Sequence, residues 1–327
     1  MNWRGKRVLV TGACGFIGSH LVEALVERDA SVRAFGHYNA LGRCGWLDRS
    51  NVRSDIELVM GDVQDRDRVR SACERIEIVF HLAALIGIPY SYHAPVSYLR
   101  TNVEGTMNML LAARELGVER LVQTSTSEVY GTAQYVPMDE SHPLQGQSPY
   151  SASKIAADKM TEAFHRSFNV PVVTVRPFNT YGPRQSTRAL IPTIITQLLD
   201  GETVRLGNTH PTRDLLFVAD TVDGFIRAAG CPGTLGETVN LGTEMETSVG
   251  GVAKLISELM GKEAMIEIED ERVRPEASEV DRLFSSTTRA KTLMGWQAKH
   301  SLSEGLERTI TWLKENRDRY RTTGYAI

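Results

Sequence analysis

Apolar and polar residues follow two periods through the first half of the chain: short β-branched runs, each followed by a longer stretch in which apolar residues recur every three or four positions. The runs predict strands near Arg7–Thr11, Ser31–Phe35, Glu57–Met60, Ile78–Leu82, Arg120–Thr124 and Val172–Arg176. The longer stretches predict helices over Gly18–Glu27, Arg66–Cys73, Tyr98–Leu116 and Ser151–Phe168, with Met107, Leu110 and Leu111 on the buried face of the third. Strand and helix in alternation are the pattern of a parallel sheet with crossover helices. The fold class expected is α/β, a doubly wound parallel sheet.

After Arg176 the rhythm changes. Pro177, Gly182 and Pro183 open a loop, and the later elements are shorter, which predicts a second, smaller α/β domain. Leu215–Phe217, Val218–Ala229 and Thr238–Leu241 read as strand, helix and strand able to rejoin the first sheet. The first domain then comprises residues 1–176 with about 215–242, and the second 177–214 and 243–327. Ser301 and Glu304 have the spacing of a capping box, and Leu306, Ile310 and Leu313 supply the apolar stripe of a C-terminal helix.

A length of 327 residues with 42% hydrophobic content suits about two such domains. The net charge of −3 offers no positive field to gather nucleic acid, so no nucleic-acid partner is expected. No apolar run reaches the ~18 residues that span a bilayer, and Met1–Arg7 passes directly into Val8-Leu9-Val10 without the pattern of a signal peptide. The expectation is a cytoplasmic protein without a membrane partner. Cys14, Cys44, Cys73 and Cys231 lie far apart with no Cys-x-x-Cys pair, which predicts reduced thiols and no metal site.

Between the first strand and the first helix stands Gly12-Ala13-Cys14-Gly15-Phe16-Ile17-Gly18. Glycines at this spacing allow a tight turn and let backbone N–H groups meet a pyrophosphate at a helix N-terminus. Ordinary turns also carry glycine triplets; the place directly after the first strand selects a dinucleotide site. The acid that commonly ends the second strand and holds the adenosine ribose is missing, with Ala34-Phe35-Gly36-His37-Tyr38 in its place. His37 with Arg33 or Arg43 would suit a 2′-phosphate, so NAD and NADP both stay open. Asp62 is either an acceptor for the adenine amino group or a helix N-cap.

Tyr150 and Lys154 are four apart, hence on one helix face, and of the ten tyrosines only Tyr150 has lysine at this offset. An ammonium beside a phenol lowers its pKa from roughly 10, and an oxidised nicotinamide adds positive charge, which would make Tyr150 a base near neutral pH. Upstream, the fifth strand runs into Gln123-Thr124-Ser125-Thr126-Ser127-Glu128, at the carboxyl edge where such sheets bind ligands. An extended backbone there points Thr126 and Glu128 to the same side. Guanidinium forks match phosphate oxygens, so Arg213 and Arg274, with Asn179, are candidates for a diphosphate, with a plain surface arginine as the alternative for Arg274.

With these motifs come His81-Leu82-Ala83-Ala84, Asn102-Val103-Glu104-Gly105-Thr106, Arg176-Pro177-Phe178-Asn179-Thr180-Tyr181-Gly182-Pro183 and Arg213-Asp214. In this order, over nearly the whole chain, they make the sequence similar to the extended short-chain dehydrogenase/reductase family, and within it to nucleotide-sugar-modifying enzymes. The resemblance implies an N-terminal Rossmann domain for NAD or NADP, tightly bound and recycled, and a C-terminal part for a nucleoside-diphosphate sugar. It implies cofactor contacts from Gly12, Gly15, Phe16, Ile17, Gly18, His37, Asp62, Val63, Leu82, Ala83, Ala84, Thr124, Tyr150 and Lys154.

Thr126-Ser127-Glu128 resembles the triplet of 4,6-dehydratases of the GDP-mannose type, and UDP-glucuronate decarboxylases carry a similar one. Ser127 stands where glucose dehydratases have an Asp as the acid for the leaving group. The wider wording, Ser125 to Tyr130 with Gly182-Pro183-Arg184-Gln185-Ser186 and Arg272-Val273-Arg274-Pro275-Glu276, is most similar to N-acetylglucosamine nucleotide 4,6-dehydratases of the legionaminic-acid type. The implied activity is conversion of UDP-N-acetylglucosamine to its 4-keto-6-deoxy derivative, with Thr126, Ser127, Glu128, Tyr150 and Lys154 catalytic. A 4-epimerase, a UDP-glucuronate decarboxylase and a GDP-sugar 4,6-dehydratase stay open as alternatives. Asn102 is expected to brace the backbone around Lys154, directly or through a water, and not to touch substrate, and Ile88, Pro89 and Tyr90 to line the sugar pocket or form a plain loop. The resemblance also implies a homodimer through the helices Tyr98–Leu116 and Ser151–Phe168.

Overall fold

The computed structural model describes residues 1–320. Seven parallel strands form one sheet: β1 (Arg7–Thr11), β2 (Ser31–His37), β3 (Ile56–Gly61), β4 (Ile78–His81), β5 (Arg120–Thr124), β6 (Val172–Pro177) and, arriving late in the chain, the strand Thr238–Leu241. Their spatial order places Thr238–Leu241 next to β6, then β5, β4, β1, β2 and β3. β4 is therefore the middle strand, and the order reverses beside it at β1, which the chain leaves towards β2 on one side before returning to β4 on the other. The carboxyl ends of β1 and β4 flank the crevice where sheets of this kind bind ligands.

Alternation along the strands builds a core on each face. Val8, Val10, Ile78 and Phe80 point to one side, against α1 (Phe16–Val26) and other helices, while Leu9, Val79, Leu121 and Val172 point to the other, against α2 (Arg66–Ala72). All eight are buried. Both faces of a parallel sheet are covered, so these strands read as continuous apolar runs instead of one-sided ones.

The expected helix Tyr98–Leu116 is three pieces. After the short helix α3 (Ile88–His93) come α4 (Pro95–Tyr98), a wider π-helical turn over Leu99–Glu104 and α5 (Gly105–Leu116). On α5, Leu110 is buried and Leu111 half-buried, whereas Met107 is exposed, so the inward stripe runs through Asn108, Met109, Leu110, Ala112 and Ala113 and not through Met107. The long helix α6 (Pro149–Phe168) starts from a capping box in which the Ser148 and Ser151 side chains and backbone amides bond reciprocally, with Pro149 in the first turn.

Beyond β6 come β7 (Asn179–Tyr181), α7 (Leu190–Asp200), β8 (Thr203–Leu206), β9 (Thr212–Arg213), β10 (Leu215–Phe217) and α8 (Val218–Gly230), which leads into β11 (Thr238–Leu241), the seventh strand of the sheet. The remainder is β12 (Thr247–Ser248), α9 (Val249–Met260), β13 (Met265–Ile268), α10 (Thr288–Met294) and α11 (Leu302–Glu315). β11 rejoins the main sheet beside β6, as its sequence suggested; β10 does not, and pairs instead with β7. Two further pairs, β12 with β9 and β13 with β8, complete the C-terminal half. The Ser301–Glu304 capping box forms at the start of α11.

The expectation that all four cysteines are reduced thiols is overturned: Cys14 and Cys44 form a disulfide, and Cys73 and Cys231 are free. The two half-cystines are 30 residues apart and meet because the loop after β2 folds back over the glycine-rich turn. Trp46 N–H donates to the Cys14 carbonyl at the same place. A search for close Cys pairs in sequence misses such a contact. No helix among the described residues is long and apolar enough to cross a membrane.

Candidate active site

The glycine-rich turn is shaped by two steric facts. Gly12 has φ +66°, and a Cβ there would lie 2.9 Å from both the Ala83 nitrogen and the Leu82 carbonyl carbon; a Cβ on Gly18 would collide with the Gly12 carbonyl. The turn is thus pressed against Leu82 and Ala83, just past β4, with Phe16 and Ile17 opening α1. Thr11 fastens the two together, because its hydroxyl oxygen accepts from the Leu82 and Ala83 N–H groups at 3.1 Å each. That hydroxyl lies 2.8 Å from His81 Nδ1. Burial pushes the His81 imidazole down to about 3, so it is neutral. With its oxygen already accepting, Thr11 donates to Nδ1, which leaves the Nε2 proton facing the Thr106 hydroxyl at 3.4 Å.

At the ends of β2 and β3, His37 Nε2 stands 3.6 Å from the Asp62 carboxylate. Arg33 is directed away: it donates to Glu57 and to the carbonyls of Ala72 and Glu74. Arg33 therefore does not join His37 to meet a 2′-phosphate, and His37 faces a carboxylate instead. Asp62 is not a helix N-cap either. Asp65 caps α2, and Asp62 accepts from the Gln64 N–H within the turn. At the end of β5 the Thr124 hydroxyl is buried with no hydrogen-bond partner among the described residues.

β5 stops at Thr124, and Ser127–Tyr130 forms a single 3₁₀ turn capped by Thr126, whose hydroxyl accepts from the Glu128 N–H at 3.2 Å. The extended backbone expected to align Thr126 with Glu128 is absent. The turn brings them together all the same: Thr126 hydrogen-bonds Tyr150, and the charge of Glu128 acts on both Tyr150 and Arg213. Glu128 and Ser127 are buried.

Tyr150 and Lys154 occupy the first turns of α6, and both are buried. Burial pushes the Tyr150 phenol well above its ordinary value, with Thr126 pulling it down and Glu128 pushing it further up. The expected depression of the phenol by its lysine is therefore corrected: Lys154 Nζ donates to the Thr124 carbonyl at 2.7 Å. Burial lowers the Lys154 ammonium to about 8, against the opposing pull of Asp158.

Asn102 braces this helix by a direct bond. Its Oδ1 accepts from Leu85 N–H, and its amide donates to the Leu85 carbonyl and to Ser153, next to Lys154. Ile88 is not in a plain loop; it opens α3 and packs with Tyr98 against Tyr150.

Next to these groups is a cleft of roughly 240 Å³ whose lining includes Pro89, Asn179, Gln185, Arg213, Arg274 and Glu279. Arg213 Nη2 and Arg274 Nη1 stand 3.5 and 3.6 Å from one oxygen of Glu279. Asn179 Oδ1, Gln185 Oε1 and Arg274 Nη1 are buried without a hydrogen-bond partner among the described residues. Groups left so are costly unless a ligand completes them. Glu279 and Gln185 were not legible as site residues: each is one polar residue in a polar loop, brought to the cleft by chain reversals far from it in sequence. Asp158 did carry a signal, an acid one helical turn after Lys154.

Comparison with known proteins gives three kinds of likeness. The family model described as GDP-mannose 4,6-dehydratase matches residues 9–309. A UDP-glucose 4-epimerase of Mycolicibacterium smegmatis is 34% identical over 314 residues, covering 94% of this chain and 98% of the relative. A dTDP-D-glucose 4,6-dehydratase of Homo sapiens is 32% identical over 331 residues, 98% of this chain and 94% of that one. The crystal structure of the dTDP-glucose 4,6-dehydratase of Streptomyces venezuelae, solved with NAD bound, superposes with a TM-score of 0.87 at 29% identity, covering 96% of this chain and 98% of that one.

Proposed function

Because the chain belongs to the GDP-mannose 4,6-dehydratase family, whose relatives above include both 4,6-dehydratases and 4-epimerases of nucleotide sugars, we propose that it is a 4,6-dehydratase acting on UDP-N-acetylglucosamine. The observation that carries the choice of dehydratase is the buried Glu128, held by the Thr126-capped turn close enough to act on Tyr150. A 4-epimerase needs only the hydroxyl, tyrosine and lysine and gains nothing from a second buried acid.

The cofactor we assign is NAD. The cradle at Gly12 and Gly18, which a Cβ would fill, and the unpartnered Thr124 hydroxyl fit a dinucleotide running from the turn to the end of β5. The Asp62 carboxylate beside His37 suits a free ribose hydroxyl and repels a 2′-phosphate. Residues 1–176 with 215–242 would hold the dinucleotide, and 177–214 with 243–327 the sugar nucleotide. Arg213, Arg274 and Asn179 would hold its diphosphate, and Pro89 would border its sugar.

In this reading Tyr150 acts as its phenolate, which a hydrogen bond from Thr126 and the positive charge of protonated Lys154 favour against burial, and it takes the proton of the sugar O4 to become the neutral phenol. Bound NAD supplies reversible two-electron oxidation at C4 and the return of those electrons at C6. The resulting 4-ketone acidifies C5–H, which Glu128 removes; the C6 hydroxyl leaves as water with a proton delivered by Glu128 or a relay through Ser127. The sum is dehydration without net redox change. The protein would act as a homodimer through the faces of α5 and α6.

Incubation with UDP-N-acetylglucosamine tests the assignment by product mass: loss of 18 supports it, and unchanged mass with altered configuration replaces it by epimerisation; loss of carbon dioxide in a parallel incubation with UDP-glucuronate replaces it by decarboxylation. Glu128→Gln should abolish deuterium exchange at C5 and leave C4 oxidation intact; full turnover in that variant removes Glu128 from its role.

A further inference from the structure

Behind Tyr150 and Lys154, away from the cleft, lies a fully buried ionic cluster that the reaction above leaves unused. Asp158 and Arg176 have side chains only 4% and 6% exposed and pair at 3.0 Å. One oxygen of Asp158, Oδ2, takes all the bonds: from the Ser125 hydroxyl at 2.7 Å, from Arg176 Nε at 3.1 Å and from Arg176 Nη2 at 3.0 Å. The other, Oδ1, is buried with no hydrogen-bond donor. Arg176 is spent in turn on Tyr130, donating to its hydroxyl at 2.9 Å.

A carboxylate oxygen left bare inside a protein is costly, and an ion pair at this depth is no better than an apolar pair for stability alone. Its placement offers a use. Asp158 is one turn after Lys154 on α6, while Ser125 lies between Thr124, whose carbonyl holds Lys154 Nζ, and Thr126, whose hydroxyl holds Tyr150. We propose that Asp158 is the buried counter-ion of Lys154 and, through Ser125 and Arg176, the positioning residue that fixes the end of β5 against α6. Its catalytic consequence rests on the reading of the site given above; its electrostatic consequence does not.

The charges facing the cluster are few. Lys154 meets Asp158 on its own helix, the Thr124 carbonyl from β5 and the neutral His81 from β4. Tyr150 feels Glu128 from the 3₁₀ turn, Tyr98 from α4 and Asp158 on its own helix, all three opposing its ionisation. Asp158 meets Arg176 from β6, and Arg176 meets Tyr130 and, one turn along α6, the more exposed Glu162. Asp158 is thus the acid on the helix of Lys154 that opposes the loss of its proton.

The test titrates Lys154 itself, by the 13C shift of its ε-methylene in the purified protein, assigned through loss of the signal in Lys154→Met. Wild type should give a midpoint near 8. Asp158→Asn should move it down by about one unit or more, the range of a single nearby charge. Since that variant strands the Arg176 cation, Asp158→Asn/Arg176→Met is made beside it: it removes both charges, restores neutrality and should move the midpoint in the same direction by less. Ser125→Ala cuts the hydrogen bond from the end of β5 to Asp158 without changing charge, so it should leave the midpoint in place and lower kcat with little change in KM; an unchanged kcat overturns the positioning role. The alkaline limb of kcat/KM for the sugar nucleotide should follow each midpoint, and Asp158→Glu should recover part of it. An unmoved Lys154 midpoint in the double variant overturns the proposal, whatever the turnover. A moved midpoint in a protein that dehydrates no sugar nucleotide upholds the counter-ion and refutes the assigned reaction.

Discussion

Breaking the Cys14–Cys44 bond perturbs the molecule at one defined place, where the loop after β2 is tied to the phosphate-binding turn. The bond closes a loop of 30 residues. Restricting such a loop in the unfolded chain is worth about 3.5–4 kcal/mol. Unfolding entropy scales with length, and for 327 residues it comes to about 0.7 kcal/mol per kelvin near the midpoint, so reduction should lower Tm by about 5 °C. The assay is thermal unfolding followed by circular dichroism, with and without a phosphine reductant, on wild type and on Cys14→Ser/Cys44→Ser. Wild type should drop with reductant to the midpoint of the double variant, which should itself be insensitive. Thiol counting in denaturant should find two free groups before reduction and four after, because Cys73 and Cys231 are already free. Four thiols before reduction, or a midpoint that stays fixed while the count rises from two to four, would refute the reasoning.

Two further outcomes follow from buried groups. His81 is neutral in the fold, held down to about 3, whereas an unfolded histidine titrates near 6.5, so the unfolded chain binds the extra proton first and stability falls as pH drops below about 6.5. The loss from this residue should reach about 2 kcal/mol at pH 5 in urea unfolding; equal pH slopes for wild type and His81→Asn would contradict it. Asn102→Ala removes both partners of Leu85 and the bond to Ser153, which should cost about 2–3 kcal/mol and lower kcat more than it raises KM. A variant with unchanged kcat would show that the brace does not reach Lys154.

The pattern of the chain by itself determined the layered α/β fold and most of the strands that carry the site. β1 and β5 were legible to the residue and β2, β3, β4 and β6 within two, since strands covered on both faces read as unbroken apolar runs. The glycine-rich turn and the Tyr150–Lys154 pair were legible for a similar reason: each is a local spacing, imposed by one turn of backbone. What only the tertiary structure decided is everything that depends on long-range chain reversal. The Cys14–Cys44 bond, the diversion of β10 to β7, Glu279 between two arginines and Arg176 against Asp158 each join elements whose sequence neighbourhoods carry no common period. Thr126 and Glu128 illustrate the difference, because they act at one place through a 3₁₀ turn and not through the extended strand their alternation suggested. Protonation belongs to the same class: burial moves the Tyr150 phenol up and the Lys154 ammonium down, and burial is a property of the packed molecule that no spacing along the chain encodes.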